Sequence, residues 1–177
     1  SNKQKLEILY IGRLEYQKGI DIIINALILI SQQFTIPPFN ITIVGDGSFQ
    51  NIVENALKKN SLSKWCSLTK SSKNAFKYIK NSDIILLPSR YEGMSNILLE
   101  TLSCGKCVIA SKAAGLPLIK DQSNGILLEN LSSQALSETI IKVINDKEIL
   151  QNLAEKARDT ALNYSDEVIL KLWLKLI

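Results

Sequence analysis

Residues 83–105 read DIILLPSRYEGMSNILLETLSCG and bring together an apolar run, a polar turn and a second, helix-like run. The run 83–87 favours a buried strand, which the proline and glycine of the turn bring to an end. Ser95 or Asn96 can cap the helix that follows, and Glu100 then lies about one turn inside it. The first turn of a helix presents unpaired backbone N–H groups and a partial positive charge, which suit a phosphate. The stretch therefore predicts a strand–loop–helix unit with an anion site at the start of its helix.

Two carboxylates flank this predicted anion site. Glu92 lies in the turn and Glu100 lies on the helix. Carboxylate oxygens accept hydrogen bonds from hydroxyl groups. The two side chains could therefore hold the hydroxyl groups of a sugar or a ribose beside a bound phosphate.

Apolar strand patterns alternate with helical patterns along the rest of the chain. We expect strands at 6–11, 39–44, 66–68, 84–87, 107–110 and 125–128. We expect helices at 19–34, 49–60, 75–81 and 96–103, and a helical pattern from 132 onward with breaks near 145–146 and 163–164. Strands that are apolar on both faces and alternate with helices are typical of parallel sheets. The sequence predicts an α/β fold, a Rossmann-like doubly wound parallel sheet with flanking helices and a helical C-terminal tail.

The segment 88–105 has the pattern P-S-x-x-E-G-x-x-x-x-x-L-E-x-x-x-x-G. It resembles the donor-binding segment of the retaining group 1 glycosyltransferases, which have the GT-B fold. The resemblance extends over nearly the whole chain, through the loops at 12–14 with 18–19, at 45–47, and at 114–117 with 124–125. Ligands of doubly wound sheets bind beyond the carboxyl ends of the strands, and we expect all of these loops at those ends.

The resemblance implies only half of a GT-B enzyme, which has two Rossmann-like domains with the active site between them. The chain has 177 residues, enough for one ordinary domain with its own core. We therefore expect residues 1–177 to form the single C-terminal, donor-binding domain, without the N-terminal acceptor domain. Ser1 and Asn2 are interpreted as a cloning scar.

Two cations follow the first predicted strand. Arg13 and Lys18, after Gly12, could clamp a diphosphate, and the alternative is a pair of solvated surface charges. In the family that the chain resembles, the matching residues neutralise the diphosphate of the donor as it departs. The resemblance therefore makes Arg13 and Lys18 candidate catalytic as well as binding residues, and Gly12 a candidate donor-binding residue.

The turn and the helix after the fourth strand carry the remaining candidates. The resemblance places Glu92 near the donor sugar and phosphate, among the catalytic candidates, and Glu100 on the ribose hydroxyls. For Glu100 the alternative is an ion pair with a nearby lysine. The resemblance adds donor contacts that are made largely by backbone, at Gly93, Met94, Ser95, Asn96 and Ile97; for Met94 packing is an equal alternative.

Two other loops depart from known patterns. The run 45–47 begins like a G-x-G-x-x-G fingerprint, but Gln50 replaces the third glycine, so a dinucleotide site is a weak interpretation and Asp46 receives no role. The segment 67–70 lacks the glycine that the family has near the base, which leaves the base open. The last loop, 114–118, departs from the family's G-G-x-P-E and leaves its contacts open.

Composition argues against several classes of function. Lys and Arg number 21 against 17 Asp and Glu, for a net charge of +4, and no basic cluster is interleaved with aromatic residues, so no nucleic-acid partner is indicated. The chain has no histidine, so neither a Ser-His-Asp arrangement nor a histidine metal ligand exists within it. No uncharged apolar run reaches about 18 residues, and no early stretch reads as a signal peptide.

The three cysteines include a C-x-x-C pair, Cys104 and Cys107, besides Cys66. A redox or metal role is one interpretation of that pair. The other is packing, because one cysteine closes a predicted helix and the other opens a buried strand. We favour packing, with reduced thiols.

We therefore expect an enzyme that transfers a hexose-type sugar from a nucleoside diphosphate donor, with UDP favoured, to a hydroxyl acceptor in surface polysaccharide or glycolipid biosynthesis. No cofactor and no metal are expected. The partners are a nucleotide sugar and, through the missing domain, a saccharide or lipid-linked acceptor; the location is cytoplasmic, with peripheral association at the inner membrane face left open. The isolated domain is expected to be inactive. The alternatives are a nucleotide-sugar binding module without catalysis and a GT-B-like sugar-nucleotide epimerase or hydrolase.

The tail, 165–177, has an apolar face with two lysines. Docking on the missing domain, packing on this domain and an interfacial membrane helix are the three interpretations.

Overall fold

Apolar runs buried on both sides form the strands of one parallel sheet. The computed structural model describes residues 5–93 and 95–164, and the backbone but not the side chain of Lys147. Within these residues the strands are β1 Leu6–Ile11, β2 Phe39–Val44, β3 Cys66–Thr69, β4 Ile84–Leu87, β5 Cys107–Ala110 and β6 Ile126–Leu127. They lie in the order β3-β2-β1-β4-β5-β6, and every pairing is parallel. The predicted fold class is confirmed.

Helices connect the strands, and most begin at a side chain that accepts a backbone hydrogen bond. They are α1 Ile20–Gln33, α2 Gln50–Lys59, α3 Ala75–Lys80, α4 Asn96–Ser103, α5 Lys112–Gly115, α6 Ser133–Asn145 and α7 Lys147–Leu162, with short 3₁₀ turns at Tyr16–Lys18 and Leu62–Lys64. Asp146 ends α6 and caps α7 by accepting from the Ile149 N–H, which confirms the break predicted there. The predictions missed α5 and both 3₁₀ turns, which are too short to show a helical period.

Each face of the sheet buries its own apolar layer, because successive side chains of a strand point to opposite faces. Ile8 and Tyr10 of β1 pack into the layer covered by α1, α2 and α6. Leu9 and Ile11 pack into the layer that contains residues of α3, α4 and α7. Helices therefore cover both faces of the sheet, which confirms the predicted doubly wound arrangement.

The order of the strands reverses at β1. The chain adds β2 and β3 on one side of β1 and then crosses back to place β4 on the other side. In open parallel sheets this reversal leaves a crevice beyond the carboxyl ends of the two central strands. The loops after β1 and β4 meet at that crevice.

One predicted motif lies at the amino ends of the strands, opposite the crevice. Asn124 and Gly125 precede β6, at its amino end, so the expectation that every loop motif lies at a carboxyl end is wrong for this pair. Asn124 is 2% exposed, and its amide donates to the Leu118 carbonyl at 2.9 Å and to Thr160 Oγ1 at 2.7 Å. The residue anchors the segment before β6 to α7 and takes no part in the crevice.

Predictions that concern Ser1, Asn2, Met94 and the tail 165–177 lie outside the described residues. Within those residues, no helix is both long enough and apolar enough to span a bilayer.

Candidate functional site

The loop between β1 and α1, residues 12–19, is held from both of its sides. The buried Tyr10 hydroxyl donates to the Arg13 carbonyl at 2.6 Å, and burial raises the pKa of Tyr10. The Glu15 carboxylate accepts from the Ser48 N–H at 2.9 Å and from the Ser48 hydroxyl at 2.7 Å, which lowers the pKa of Glu15. The backbone that carries both predicted cations is therefore fixed by hydrogen bonds to β1 and to the loop after β2.

Gly19 allows this loop to approach the loop after β4. Its φ is +72°, in the left-handed region that favours glycine. A Cβ at this position would overlap the carbonyl oxygen of Pro88. Only glycine therefore permits the close contact that brings the two loops together.

Lys18 and Glu92 meet across the crevice. Lys18 Nζ lies 2.5 Å from Glu92 Oε2, and their side chains are 22% and 14% exposed. The Ser89 hydroxyl donates to the same carboxylate oxygen at 3.1 Å, and the Ser89 carbonyl accepts from the Ser111 hydroxyl at 2.5 Å. Two residues that are 74 positions apart in the sequence, both predicted as site residues, thus form a half-buried ion pair.

Arg13 joins this group through Gln17, which was not among the predicted site residues. Arg13 Nη2 donates to Gln17 Oε1 at 3.1 Å, and Gln17 Nε2 donates to the Tyr91 carbonyl at 3.2 Å. The Arg13 side chain is exposed. Its guanidinium therefore keeps donors that face solvent at the mouth of the crevice.

The α4 helix begins at the same crevice. Ser95 caps it, its hydroxyl accepting from the Leu98 N–H at 3.3 Å, which resolves the choice between Ser95 and Asn96. Asn96 and Ile97 form the first turn, whose N–H groups lack partners within the helix. Glu100 is half-buried and one turn further on, as predicted. The start of α4 therefore lies in the same loop as Glu92, and the ion pair joins that loop to Lys18 in the loop after β1.

Gly93 occupies open space. Among the described residues, nothing lies within 4 Å of a Cβ built on it. Neither packing nor a left-handed backbone therefore requires a glycine here, in contrast to Gly19. Met94, its neighbour, lies outside the described residues.

A cavity of about 290 Å³ adjoins the first loop. Its walls include Gly12, Arg13 and Gly45, and it extends to Ser71 after β3. Asp46 Oδ2 accepts from the Ser71 N–H at 3.0 Å, which lowers the pKa of Asp46 and ties the β2 and β3 loops together. Asp46, which had no predicted role, shapes this cavity.

A larger cavity, about 460 Å³, lies elsewhere, beside β6 and between α6 and α7. Acidic and basic side chains, among them Glu138 and Lys142, share its walls. It lies at the outer edge of the sheet, away from the crevice between β1 and β4. We therefore assign the site to the crevice on topology and convergent side chains.

Arg90 is the site residue that sequence reasoning missed most clearly. Its guanidinium forms two hydrogen bonds with Asp21, at 2.8 and 2.7 Å, and lies 3.6 Å from the centre of the Tyr16 ring. Arg90 lies in the turn that follows β4, close to Glu92 in the sequence, and this position could have marked it as a site candidate besides Arg13 and Lys18. Its partner could not be identified, because Asp21 reads as an ordinary charge in the first turn of a helix.

The cysteines are packed. Cys66 and Cys107 are buried, and burial raises the pKa of each thiol to about 12. Cys104 is partly exposed, and its pKa is also raised by burial. These environments disfavour the thiolate that redox chemistry and metal binding require, in agreement with the packing interpretation.

Comparison with known proteins identifies the relatives of this chain. The profile of the family described as "Glycosyl transferases group 1" matches residues 1–160. An uncharacterized glycosyltransferase of Methanocaldococcus jannaschii is 32% identical over 161 residues, which cover 90% of this chain and 44% of that protein. The amylovoran biosynthesis glycosyltransferase AmsD of Erwinia amylovora is 27% identical over 173 residues, 97% of this chain and 48% of that protein. The chain thus spans just under half the length of these two relatives.

Solved structures share the fold. A mutant of TarM from S. aureus, crystallised with Fondaparinux, alpha-GlcNAc-glycerol and UDP, superposes with a TM-score of 0.87 at 23% identity, and the match covers 98% of this chain and 35% of that one. The C-terminal domain of a group 1 family glycosyl transferase from Francisella tularensis superposes with a TM-score of 0.81 at 25% identity. In that case the match covers 91% of this chain and 87% of the other.

Proposed function

The chain belongs to the group 1 glycosyl transferases, and we propose that it is the nucleotide-sugar-binding half of a retaining enzyme of this family. The observation that carries the proposal is the convergence at one crevice of Arg13, the Lys18–Glu92 pair and the start of α4. That crevice lies at the switch point of the sheet, where doubly wound folds bind their ligands.

The diphosphate of the donor would lie between the β1–α1 loop and the start of α4. Breaking the bond between the anomeric carbon and the diphosphate leaves negative charge on the departing oxygen. Arg13 and Lys18 would neutralise that charge, assisted by the N–H groups of Asn96 and Ile97. In this arrangement the chain stabilises the leaving group. The acceptor hydroxyl oxygen forms the new bond to the anomeric carbon, and its proton passes to the departing diphosphate oxygen.

The nucleoside and the donor sugar would lie on opposite sides of the diphosphate. Glu100 accepts hydrogen bonds from the ribose hydroxyls, and the cavity beside Gly45 receives the base. Glu92 and the open Cα of Gly93 face the donor sugar, where a side chain at position 93 would take up space. The absence of any packing need for glycine at position 93 supports this placement.

UDP and a hexose-type sugar are our proposed donor components. The S. aureus relative of known structure was crystallised with UDP. The Erwinia relative is named for amylovoran biosynthesis, which supports a role in surface polysaccharide or glycolipid synthesis with a saccharide or lipid-linked acceptor. The cytoplasmic location remains a prediction.

The acceptor site is proposed to lie in a second domain. The chain spans under half of two relatives, yet most of a solved C-terminal domain. This chain carries the groups that we propose bind the donor. We therefore expect this chain alone to bind the donor without transferring sugar.

A titration panel tests the proposal. Calorimetry with UDP, GDP and ADP, and then with the sugar nucleotides of the base that binds, would identify the donor. We expect saturable binding of one diphosphate and tighter binding of one of its sugar conjugates. If no diphosphate binds, the proposed function is wrong for this chain.

A binding module without catalysis would give the same titrations. Joining this chain to an N-terminal acceptor domain of its family separates the two, because only the enzyme then transfers sugar to an acceptor.

A further inference from the structure

Arg90 links the loop after β4 to the loop after β1. Its Nη1 donates to the Tyr16 carbonyl at 2.6 Å and to Asp21 Oδ1 at 2.8 Å, and its Nη2 donates to Asp21 Oδ2 at 2.7 Å. The planar group also lies over the Tyr16 ring, with Cζ 3.6 Å from its centre. A bidentate pair with added ring stacking fixes orientation as well as distance.

The backbone of Arg90 makes the same connection. Its N–H donates to the Gln17 carbonyl at 2.8 Å. The side chains of Arg90 and Asp21 are only 18% and 27% exposed, so water competes weakly for these bonds. Arg90 therefore contacts Tyr16, Gln17 and Asp21, which bracket Lys18 in the sequence.

Arg90 and the residues that it contacts lie close in the sequence to the two members of the ion pair, Glu92 and Lys18. Glu92 lies two positions after Arg90, and Lys18 lies one position after Gln17. Both terminal nitrogens of the Arg90 guanidinium, Nη1 and Nη2, donate to Asp21 or Tyr16, whereas the exposed Arg13 donates through Nη2 to Gln17. Without the Arg90 side chain, residues 89–92 would still be bonded to residues 16–18 through the Arg90 N–H, Gln17 and Lys18. They would lose the bidentate and stacking contacts that fix their orientation.

We infer that Arg90, anchored by Asp21, is a positioning residue of the donor site. It holds the loop after β4 on the loop after β1, so that Lys18 and Glu92 meet the diphosphate and the sugar at a fixed separation. This inference rests on the proposed function.

The first test compares UDP with UMP. Arg90→Ala should weaken UDP binding about tenfold, since small misplacements of charged groups are costly, and should change UMP binding by less than about twofold. UMP lacks the second phosphate that the Lys18–Glu92 region would receive. Arg90→Lys should recover part of the loss, because lysine keeps the charge but not the fork. Arg158→Ala, which removes an exposed arginine of α7, is the matched control.

The second test separates positioning from direct phosphate binding. Asp21→Asn weakens the anchor: a positioning Arg90 predicts weaker UDP binding, whereas a phosphate-binding Arg90 that Asp21 holds back predicts tighter binding. The double variant Arg90→Ala/Asp21→Asn should bind UDP no worse than Arg90→Ala alone.

Three results overturn the inference. They are unchanged UDP affinity in Arg90→Ala, equal losses for UDP and UMP, and tighter UDP binding in Asp21→Asn. If Arg90→Ala does not fold, the UDP and UMP affinities of Arg90→Lys and Asp21→Asn are compared in the same way. If the unaltered chain binds none of UDP, GDP and ADP, the proposed function fails and the inference fails with it.

Discussion

Lys18 Nζ lies 2.5 Å from Glu92 Oε2, in an ion pair whose two side chains are 22% and 14% exposed. The cation that we assign to a diphosphate is thus already bonded to a carboxylate of the same crevice. If the crevice binds a diphosphate as we propose, the diphosphate would compete with Glu92 for Lys18. Glu92 would then oppose the binding of the diphosphate and assist its release after transfer.

Removing the charge of Glu92 should tighten the binding of UDP. Glu92→Gln keeps the shape of the side chain and releases Lys18, and we expect about fivefold tighter UDP binding, ~1 kcal/mol. Calorimetry measures the effect, with Glu155→Gln on the exposed side of α7 as the control. Equal or weaker affinity in Glu92→Gln would show that the carboxylate does not compete with the diphosphate.

Two glycines of the site should respond differently to alanine. Gly19→Ala forces a left-handed backbone and places a Cβ against the Pro88 carbonyl oxygen, and we expect it to lower the free energy of unfolding by about 3 kcal/mol. Gly93→Ala should leave stability within about 0.5 kcal/mol, because its Cβ would enter open space.

Urea unfolding measures both glycine effects, and donor binding gives Gly93 a second readout. Gly93→Ala should weaken a UDP-sugar more than UDP, because the added methyl group faces the proposed sugar. A large loss of stability in Gly93→Ala, or an equal effect on both ligands, would contradict this placement.

Asn124 should matter for stability alone. Asn124→Ala leaves the Leu118 carbonyl and the Lys120 N–H without their buried partner, and we expect the free energy of unfolding to fall by about 2 kcal/mol. UDP affinity should stay unchanged, because Asn124 lies at the amino ends of the strands and the proposed site lies at their carboxyl ends. Asn152→Ala on the exposed side of α7 is the control. Reduced UDP affinity in folded Asn124→Ala would place this loop in the site after all.

Thiol labelling tests the packing of the cysteines. At pH 8 a thiol whose pKa is about 12 is ionised to about one part in 10⁴, so Cys66 and Cys107 should remain unlabelled in the folded chain. Cys104, which is partly exposed, should react first, faster as pH rises toward its raised pKa. In denaturant all three should react. Rapid labelling of all three in the folded chain would contradict the packing interpretation.

The sheet was predictable because its strands are local signals. Each of the runs 84–87 and 107–110 is buried at every position, and such runs between helical patterns indicate a parallel sheet. The short α5 and the position of Asn124 were not predictable in the same way. Both depend on how the chain returns to β6, which a motif match does not report.

The candidate site was predictable residue by residue but not as contacts. The turn around Glu92 and the cations of the first loop were identified from the sequence. Their pairing was not, because residues 74 positions apart meet only once β4 lies beside β1. Arg90 and Asp21 were missed for the same reason: each looks like a surface charge until its partner is known.

The central claim is that Arg13, Lys18 and Glu100 hold a nucleoside diphosphate. Calorimetric titration with UDP, GDP and ADP should compare the unaltered chain with Arg13→Ala/Lys18→Ala, Glu100→Ala and the control Lys142→Ala, which changes an exposed lysine of α6. The account predicts that the unaltered chain and the control bind one diphosphate with a Kd between about 1 µM and 1 mM. Both site variants should bind it more weakly. No binding, or binding that the site variants leave unchanged, would contradict the account.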